Sequence, residues 1–422
     1  MARQRRRRGA NTLPLASREV LLFSLPRAFG RPVSTSALTL ALVMATTAQA
    51  TPCGGAPGEP VDVAQAERML ALLGDVAAGR SGLAHVEVVL ADPRTDLVIA
   101  QMNVGRTVTK VRYAQLLRDF VAGREPRLEP DADLRAQRGA KALRDVLRIL
   151  RWGAGHTDLL AERLSALRRS DPAAEAYRRA GAALPVPLDR GTRLHIVMGG
   201  RAGGAAIGDD VYFDLLAYSA FESTGEVPAF TPDAAVATFA HELHHLGLTA
   251  ALESFPPALH LDPRSARAFG LVKLLVLEGS ATWLVDAERD PARLRRDASV
   301  ARELERGDAL LADVERLLQG ALSGELDGPA CEAARAPLLA GGFHAAGALL
   351  LQAIDRTGGR DAVLTVLRDP RRLLVSYDEA VRDGAEGRTF DAGLAQAIGH
   401  LGEDRGKEAP GHPQPLDRIH GP

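Results

Sequence analysis

Residues 231–247 read TPDAAVATFAHELHHLG, and this stretch decides the fold. Thr231 can cap a helix, Pro232 suits the first helical turn, and Gly247 can end the helix. Apolar residues recur between these ends at three- and four-residue spacing, as the core-facing stripe of an amphipathic helix does: Val236, Phe239, Leu243 and Leu246. The stretch therefore predicts one helix over residues 231–247.

His241, Glu242 and His245 form an HExxH pattern on this helix. Residues four positions apart lie one above the other on a helix, so two imidazoles can converge on one Zn²⁺ ion at about 2.0–2.1 Å. Glu242 is rotated by about 100° from His241, where it can accept a proton from a zinc-activated water that attacks a peptide carbonyl. The pattern predicts an enzyme, a zinc-dependent peptidase with one catalytic ion, in which His241 and His245 bind the metal and Glu242 is the catalytic base.

The same histidines could instead be solvated, or satisfied within the core, without a metal. His244 lies between the motif residues, and we expect it to face the helix surface or to support a ligand rather than to bind the ion. Each ligand imidazole needs a partner for its second N–H group. The sequence does not identify these partners.

Glu278 follows the apolar helical run 269–277. Burying an unpaired carboxylate is costly, so Glu278 should have a cationic partner, and Zn²⁺ would keep a fourth position open for water. We predict that Glu278 is the third ligand, and that Gly279 and Ala281 let its helix approach the histidine helix closely. Pairing of Glu278 with Lys273 or an arginine is the alternative. Other candidate ligands are Glu253, His260, Asp262 and Asp286, of which Asp286 is better placed to support a ligand.

The stretches AHELHHLG (240–247) and LEGSATWL (277–284) resemble the zincin metallopeptidases, in the gluzincin-like branch with HExxH plus Glu. They look most like a bacterial family of unknown function proposed to be zinc-dependent peptidases. The resemblance covers Leu194–Asp286, is looser as far as Tyr377, and does not include residues 51–183. The metzincin pattern is absent.

This resemblance implies a predominantly helical α+β fold with a small sheet beside the active-site helix. In such folds a strand before that helix binds the extended substrate, and Asp210–Leu216 occupies this place in the sequence. A donor for the transition-state oxyanion is needed besides the metal. His344 and Tyr377 are the candidates, although either could be a packing residue.

Apolar periodicity predicts a mainly helical N-terminal region over residues 61–187 and a metallopeptidase domain over 188–401. The predicted helices of the N-terminal region are Val63–Ala77, Arg112–Val121, Ala132–Trp152 and Thr157–Arg169. The runs His85–Leu90 and Leu97–Ala100 could be strands. Leu194–Met198 and Asp210–Leu216 are predicted strands, joined by a glycine-rich hairpin connection.

Residues 1–50 combine a basic start, an apolar run over Ala37–Ala45 and Ala48-Gln49-Ala50, which is typical of a signal peptide. We expect a bacterial product exported to the periplasm or the exterior, with a linker over 51–60 and a disordered tail over 402–422. The apolar run is too short to span a bilayer, so no membrane anchor is expected.

Removal of residues 1–50 leaves a net charge of −8. A net negative protein is a poor candidate for binding nucleic acid, so the expected partner is a peptide or protein substrate. Cys53 and Cys331 could pair in an oxidising compartment or stay unpaired. The oligomeric state is left open.

Two other kinds of function remain compatible with the sequence. A zinc-dependent amidase or another non-peptidase hydrolase would use the same water-activating chemistry. A non-catalytic binding protein could keep the zincin shape, although such a protein would be expected to have lost the base that Glu242 provides.

Overall fold

The structure is a computed structural model and describes residues 61–102, 108–126, 134–188, 191–253 and 261–402. Helices fill the first part of the chain: α1 (Ala64–Ala77), α2 (Leu83–Ala91), α3 (Pro93–Met102), α4 (Lys110–Val121), α5 (Leu134–Ala154), α6 (Thr157–Ser170) and α7 (Ala173–Ala183). A small sheet follows: β1 (Arg193–Val197), β2 (Gly204–Ile207) and β3 (Asp210–Asp214).

The remaining helices are α8 (Leu215–Ser223), α9 (Pro232–Glu253), α10 (Pro263–Ser280), α11 (Ala298–Leu304), α12 (Asp308–Ser323), α13 (Gly328–Arg335), α14 (Gly342–Arg368), α15 (Leu373–Arg382) and α16 (Ala392–Gly399). A π-helical turn, Ala281–Asp286, continues α10. Short 3-10 helices lie at Arg293–Arg295, Ala336–Leu339 and Pro370–Arg372. The predominantly helical α+β class is therefore confirmed.

The sheet has the strand order β1-β3-β2, with β3 parallel to β1 and antiparallel to β2. Because β3 is paired on both sides, its backbone has no free edge for a substrate, so the expectation that Asp210–Leu216 binds substrate is wrong. This predicted strand is also too long: it stops at Asp214, whose carboxylate accepts a hydrogen bond from the amide of Ala217 and caps α8. The outer strands are β1, which is bridged to Asp62 at His195, and β2, whose outer edge pairs with no other strand among the described residues and which is partly exposed along its length.

The two runs predicted as possible strands, His85–Leu90 and Leu97–Ala100, are helical and belong to α2 and α3. Val86, Val89 and Leu90 are buried at three- and four-residue spacing, the period of a helix that lays one face on α1. Short apolar runs do not separate strand from helix, because both bury the same residue types.

Helix α9 begins as predicted but runs two turns beyond Gly247, to Glu253. A Cβ atom at residue 247 would lie 2.4 Å from Cδ1 of Leu184 and 3.0 Å from Cδ1 of Leu188. Gly247 therefore allows a close approach of the preceding segment and does not terminate the helix. Val236, Phe239 and Leu243 are buried on the core side.

Two hydrophobic clusters make up the core, and α9 belongs to both. The first unites α1–α8 with the sheet, with α9 as far as Leu243 and with Val285 of the π-helical turn. The second contains Leu184, the part of α9 from Leu248 onward and α10–α16. The first cluster runs across position 187–188, so the division into regions 61–187 and 188–401 stays a prediction. The predicted signal peptide, the predicted linker and residues 403–422 of the predicted tail lie outside the described residues, as does Cys53; Cys331 is buried on α13.

Among the described residues, the helical segment Pro263–Asp286 is long and apolar enough to cross a membrane, and the bent pair Gly328–Leu339 and Gly342–Arg368 also is if it is taken as one span. The most apolar stretch of Pro263–Asp286 is 78% buried inside the protein. This segment is the central helix of the second cluster, which accounts for its composition.

Candidate metal centre

His241 and His245 project from α9 into a cleft between the two clusters. Their rings meet edge to face with centroids 4.5 Å apart. Glu242 lines the same cleft, together with the small residues Ala237 and Thr238. The spacing in the sequence therefore brings the three motif side chains to one cleft, as predicted.

Glu278 lies at the end of α10 with only 5% of its surface exposed. Its Oε2 atom is 3.4 Å from Nε2 of His245 and 4.0 Å from Nε2 of His241. No lysine or arginine contacts Glu278 among the described residues, and Lys273 lies over the ring of Phe269 instead. Glu278 thus lies beside the motif histidines, and its predicted alternative pairing with Lys273 or an arginine is not formed among the described residues.

His344, in the first turn of α14, completes this cluster. Its Nε2 atom is 2.9 Å from Oε2 of Glu278, and its ring stacks on that of His241 at 5.8 Å. The ligand atoms of His241, Glu278 and His344 all lie within 4.8 Å of one another. His344 was predicted only as a candidate oxyanion donor, and its place among the metal-facing residues was not predicted.

Close contact between α10 and α14 brings Glu278 to His344. A Cβ atom on Gly347 would lie 2.1 Å from the carbonyl oxygen of Leu275, and one on Gly279 would lie 2.3 Å from the carbonyl carbon of Gly347. Only glycine fits at either place. Gly279 was expected to allow close packing of α10 on the histidine helix, but it allows close packing of α10 on α14 instead.

Asp286 supports His241 from the π-helical turn. Its Oδ2 atom is 2.8 Å from Nδ1 of His241, which leaves Nε2 directed toward Glu278. Burial opposes the charged imidazole, but Asp286 outweighs it and raises the pKa of His241 to about 9. This contact fits the supporting role predicted for Asp286, and π-helical turns of this kind often occur at functional sites.

A buried carboxylate on α14 fixes the turn that carries Asp286. Asp355 accepts a hydrogen bond from Nε1 of Trp283 at 3.0 Å and two from Arg289 at 2.6 Å each. The second and third residues after the turn, Glu288 and Arg289, have the left-handed φ angles of 48° and 64°, which non-glycine residues seldom adopt. The ion pair with Asp355 stabilises this backbone. No local pattern in the sequence pointed to Asp355.

The other candidate ligands lie elsewhere. Glu253 is exposed at the end of α9. Asp262 caps α10, accepting hydrogen bonds from the amides of Arg264 and Ser265. His260 is outside the described residues.

His244 and Tyr377 are both buried away from the cleft lining. His244 was expected at the helix surface or beside a ligand, but it is fully buried and its Nε2 atom lies 2.7 Å from Oγ of Ser280, which joins α9 to α10. Tyr377 is 2% exposed and packs edge to face on Phe390, 5.6 Å away, in the second cluster. These positions leave His344 as the oxyanion donor candidate that lines the cleft.

The residues present fit a zinc ion. Ligand atoms of a tetrahedral site, each about 2.0–2.2 Å from the ion, are about 3.3 Å apart, close to the distances between Glu278 and the imidazoles. Oε2 of Glu278 is buried, and the nitrogen atoms that face it belong to imidazoles, the nearest being Nε2 of His344 at 2.9 Å. A cation shared by these groups would stabilise the buried carboxylate. Burial opposes its ionisation, yet the imidazoles of His344 and His245 hold the pKa of Glu278 well below its usual range.

The cleft has a volume of about 490 Å³ and reaches from β2 to the metal-facing cluster. Its walls include Gly203, Gly204, Ala205 and Ala206 on the sheet side and Leu294 and Val300 on the opposite side. A cleft with these dimensions can enclose several residues of an extended chain.

A helix bearing HExxH, a glutamate from a following helix and an edge strand beside them define the zincin class. The chain belongs to the family described as putative zinc dependent peptidase (DUF5700), whose model matches residues 135–385. No curated protein and no solved structure matches the chain.

The family match also corrects the extent of the resemblance. It begins at residue 135 and includes α5–α7, which the sequence analysis had left outside. These helices share the first hydrophobic cluster with the sheet, and α7 packs along α9.

Proposed function

We propose that the protein is a zinc-dependent peptidase in which His241, His245 and Glu278 hold one zinc ion and Glu242 is the general base. One observation carries the proposal: a buried glutamate faces the HExxH imidazoles, with no lysine or arginine in contact with it among the described residues, in a cleft large enough for a peptide. Zinc bound there would supply a Lewis acid that polarises a peptide carbonyl and lowers the pKa of water.

Glu242 would move the proton. From its place in the cleft wall, its carboxylate takes a proton from the attacking water and then delivers it to the nitrogen of the leaving amine. The C–N bond breaks as that proton arrives, giving a carboxylate and an amine.

His344 would stabilise the carbonyl oxygen as it becomes negative. Its imidazole lines the cleft beside Glu278, and Glu278 raises the pKa of His344 even though burial opposes the charged form. An N–H donor held at this place is suited to an oxyanion.

The free edge of β2 would hold the substrate backbone. Residues Gly204–Ala206 line the cleft, and their outer edge pairs with no other strand among the described residues. An extended peptide can add there as a further strand. Whether the bonds cut lie within a chain or at its end depends on the substrate, and a non-peptidase amidase would use the same groups.

We also propose that the protein acts outside the cytoplasm, on the basis of residues 1–50. N-terminal sequencing of the exported protein should find a start near Thr51. An intact residue 1–50 segment on a cytoplasmic product would contradict this.

Metal analysis combined with cleavage of a peptide library tests the function. The zinc-loaded protein should cut peptides, and Glu242→Gln should keep the zinc and lose activity by about 10²- to 10⁴-fold, the usual contribution of a general base. Glu253→Gln, a matched change at the exposed end of the same helix, should leave both unchanged. Undiminished cleavage by zinc-loaded Glu242→Gln protein would exclude the proposed base.

A further inference from the structure

A rigidly held segment, Met198–Arg201, precedes the edge strand β2 at one end of the cleft. The side chain of Gln65 bonds both backbone groups of Met198, at 2.9 and 2.8 Å. The hydroxyl of Tyr113 donates to the carbonyl oxygen of Gly199 at 3.1 Å. The segment is therefore fixed from α1 and from α4.

The next two residues are fixed in the same way. Gly200 donates its amide hydrogen to Oδ2 of Asp214 at 2.6 Å, and Arg201 donates its own to Oε1 of Gln101 at 3.3 Å. A Cβ atom on Gly200 would lie 2.7 Å from both acceptors, so no larger residue fits. The four side chains that hold the segment are each at most 5% exposed: Gln65, Gln101, Tyr113 and Asp214.

Arg201 is the first side chain that this segment presents to the cleft. Three other arginines that line the cleft form ion pairs with carboxylates: Arg148 with Asp145, Arg179 with three acids, and Arg293 with Glu288. The guanidinium of Arg201 has no carboxylate partner among the described residues, and Arg201 as a whole residue is half-buried.

Arg296 lines the cleft without such a partner among the described residues too, but Arg296 is an exposed residue, whereas Arg201 is not. A guanidinium that lines a cleft without a protein anion can pair with an anionic group of a ligand without first breaking an ion pair. Its fixed fork of N–H donors matches a carboxylate. The backbone of Met198–Arg201 is already held by hydrogen bonds, so a ligand that binds Arg201 would not have to pay the entropic cost of ordering this segment.

We propose that Arg201 forms a specificity subsite for an acidic side chain of the substrate. This inference rests on the proposed peptidase function and names its substrate class: peptides with Glu or Asp at one fixed position relative to the cut. The substrate backbone runs along β2, and the acidic side chain reaches the guanidinium at the start of that strand.

The test uses pairs of blocked peptides that differ only by Glu or Gln at one position. Their binding is measured to the zinc-loaded Glu242→Gln chain, which holds peptides without cutting them. At one position the Glu peptide should bind about 10- to 100-fold more tightly, the range of a charge-assisted hydrogen bond. Arg201→Gln in this background should remove the preference with zinc content and circular dichroism unchanged, and Arg201→Glu should shift it to lysine.

Arg295→Gln is the matched control, because Arg295 is exposed and outside the cleft lining, and it should keep the preference. Equal binding of each pair, a preference that survives Arg201→Gln, or no binding of any peptide would overturn the subsite. An Arg201-dependent preference in binding, with no peptide cut by the wild-type protein, would support the subsite and reject the peptidase function.

Discussion

Two parts of the metal centre are built in different ways. On α9, His241, Glu242 and His245 are placed by helical spacing alone, within little more than one turn. On α10 and α14, Glu278 and His344 are far apart in the sequence and meet because two glycines let the helices touch. The first arrangement is local and can be predicted from the sequence, whereas the second depends on tertiary packing. The placing of Glu278 beside His344 therefore depends on the crossing of α10 and α14.

The largest effect should follow from removing the carboxylate that joins the two parts. Glu278→Ala takes away the group that faces all three imidazoles, so we expect loss of zinc from the purified protein and loss of activity. Metal analysis by mass spectrometry checks this. Glu253→Ala and Asp262→Ala should retain zinc, although the second loses the cap of α10 and about 1 kcal/mol of stability. Full zinc occupancy and normal turnover in Glu278→Ala would refute the assignment.

A change at the helix crossing should affect α10 and α14 while leaving α9 intact. In Gly347→Ala the new methyl group would lie 2.1 Å from the carbonyl oxygen of Leu275, so the helices must separate. We expect a loss of about 1–3 kcal/mol in the free energy of unfolding, with weaker zinc binding. Chemical denaturation and zinc titration measure both.

The matched control is Gly74→Ala, on the open face of α1. No atom lies within 4 Å of its Cβ position, so this change should stabilise the helix by about 0.5–1 kcal/mol. If Gly347→Ala proved as stable as the wild type and bound zinc normally, the crossing would not determine the site.

The smallest effect concerns support of the α9 histidines from α14. Asp355→Asn should loosen the turn that carries Asp286 and weaken zinc binding by about 10-fold, within the range seen for outer partners of metal ligands. Asp286→Asn should abolish this dependence, so that Asp355→Asn adds little in the double variant. Zinc titration of the four proteins checks it, with Asp361→Asn on the exposed face of α14 as control.

Equal effects of Asp355→Asn with and without Asp286 would show that Asp355 only stabilises the fold. The four proteins form a double-mutant cycle, which measures the coupling between Asp355 and Asp286 and cancels a general loss of stability. It therefore separates support of the metal site from stabilisation of the fold.

The difference between the two parts also explains what the sequence could predict. The sequence could predict the HExxH helix, Glu278 and the position of Asp286 beside a ligand. Spacing, capping residues and a carboxylate after an apolar run are local signals. The cleft position of His344 and the role of Asp355 could not be predicted, since each depends on a contact with a distant helix. Gly347, three residues after His344, was the available hint of that contact.

Errors in the strands have a related cause. The edge strand Gly204–Ile207 lies within a glycine-rich stretch whose residues have low strand propensity, and pairing with β3 imposes its conformation. The apolar runs in α2 and α3 resembled strands because their lengths suit both structures. The sheet order, which leaves β2 and not β3 at the free edge, follows from pairing that no single segment reveals.

X-ray absorption of the zinc-loaded protein at the zinc edge tests the central claim most directly. Counting the imidazoles around the ion separates the α9 histidines from His344. The account predicts two imidazoles at about 2.0–2.1 Å and a carboxylate oxygen, with that oxygen lost in Glu278→Ala. A third imidazole would make His344 a ligand instead of a donor, and a spectrum with no protein carboxylate would contradict the role of Glu278.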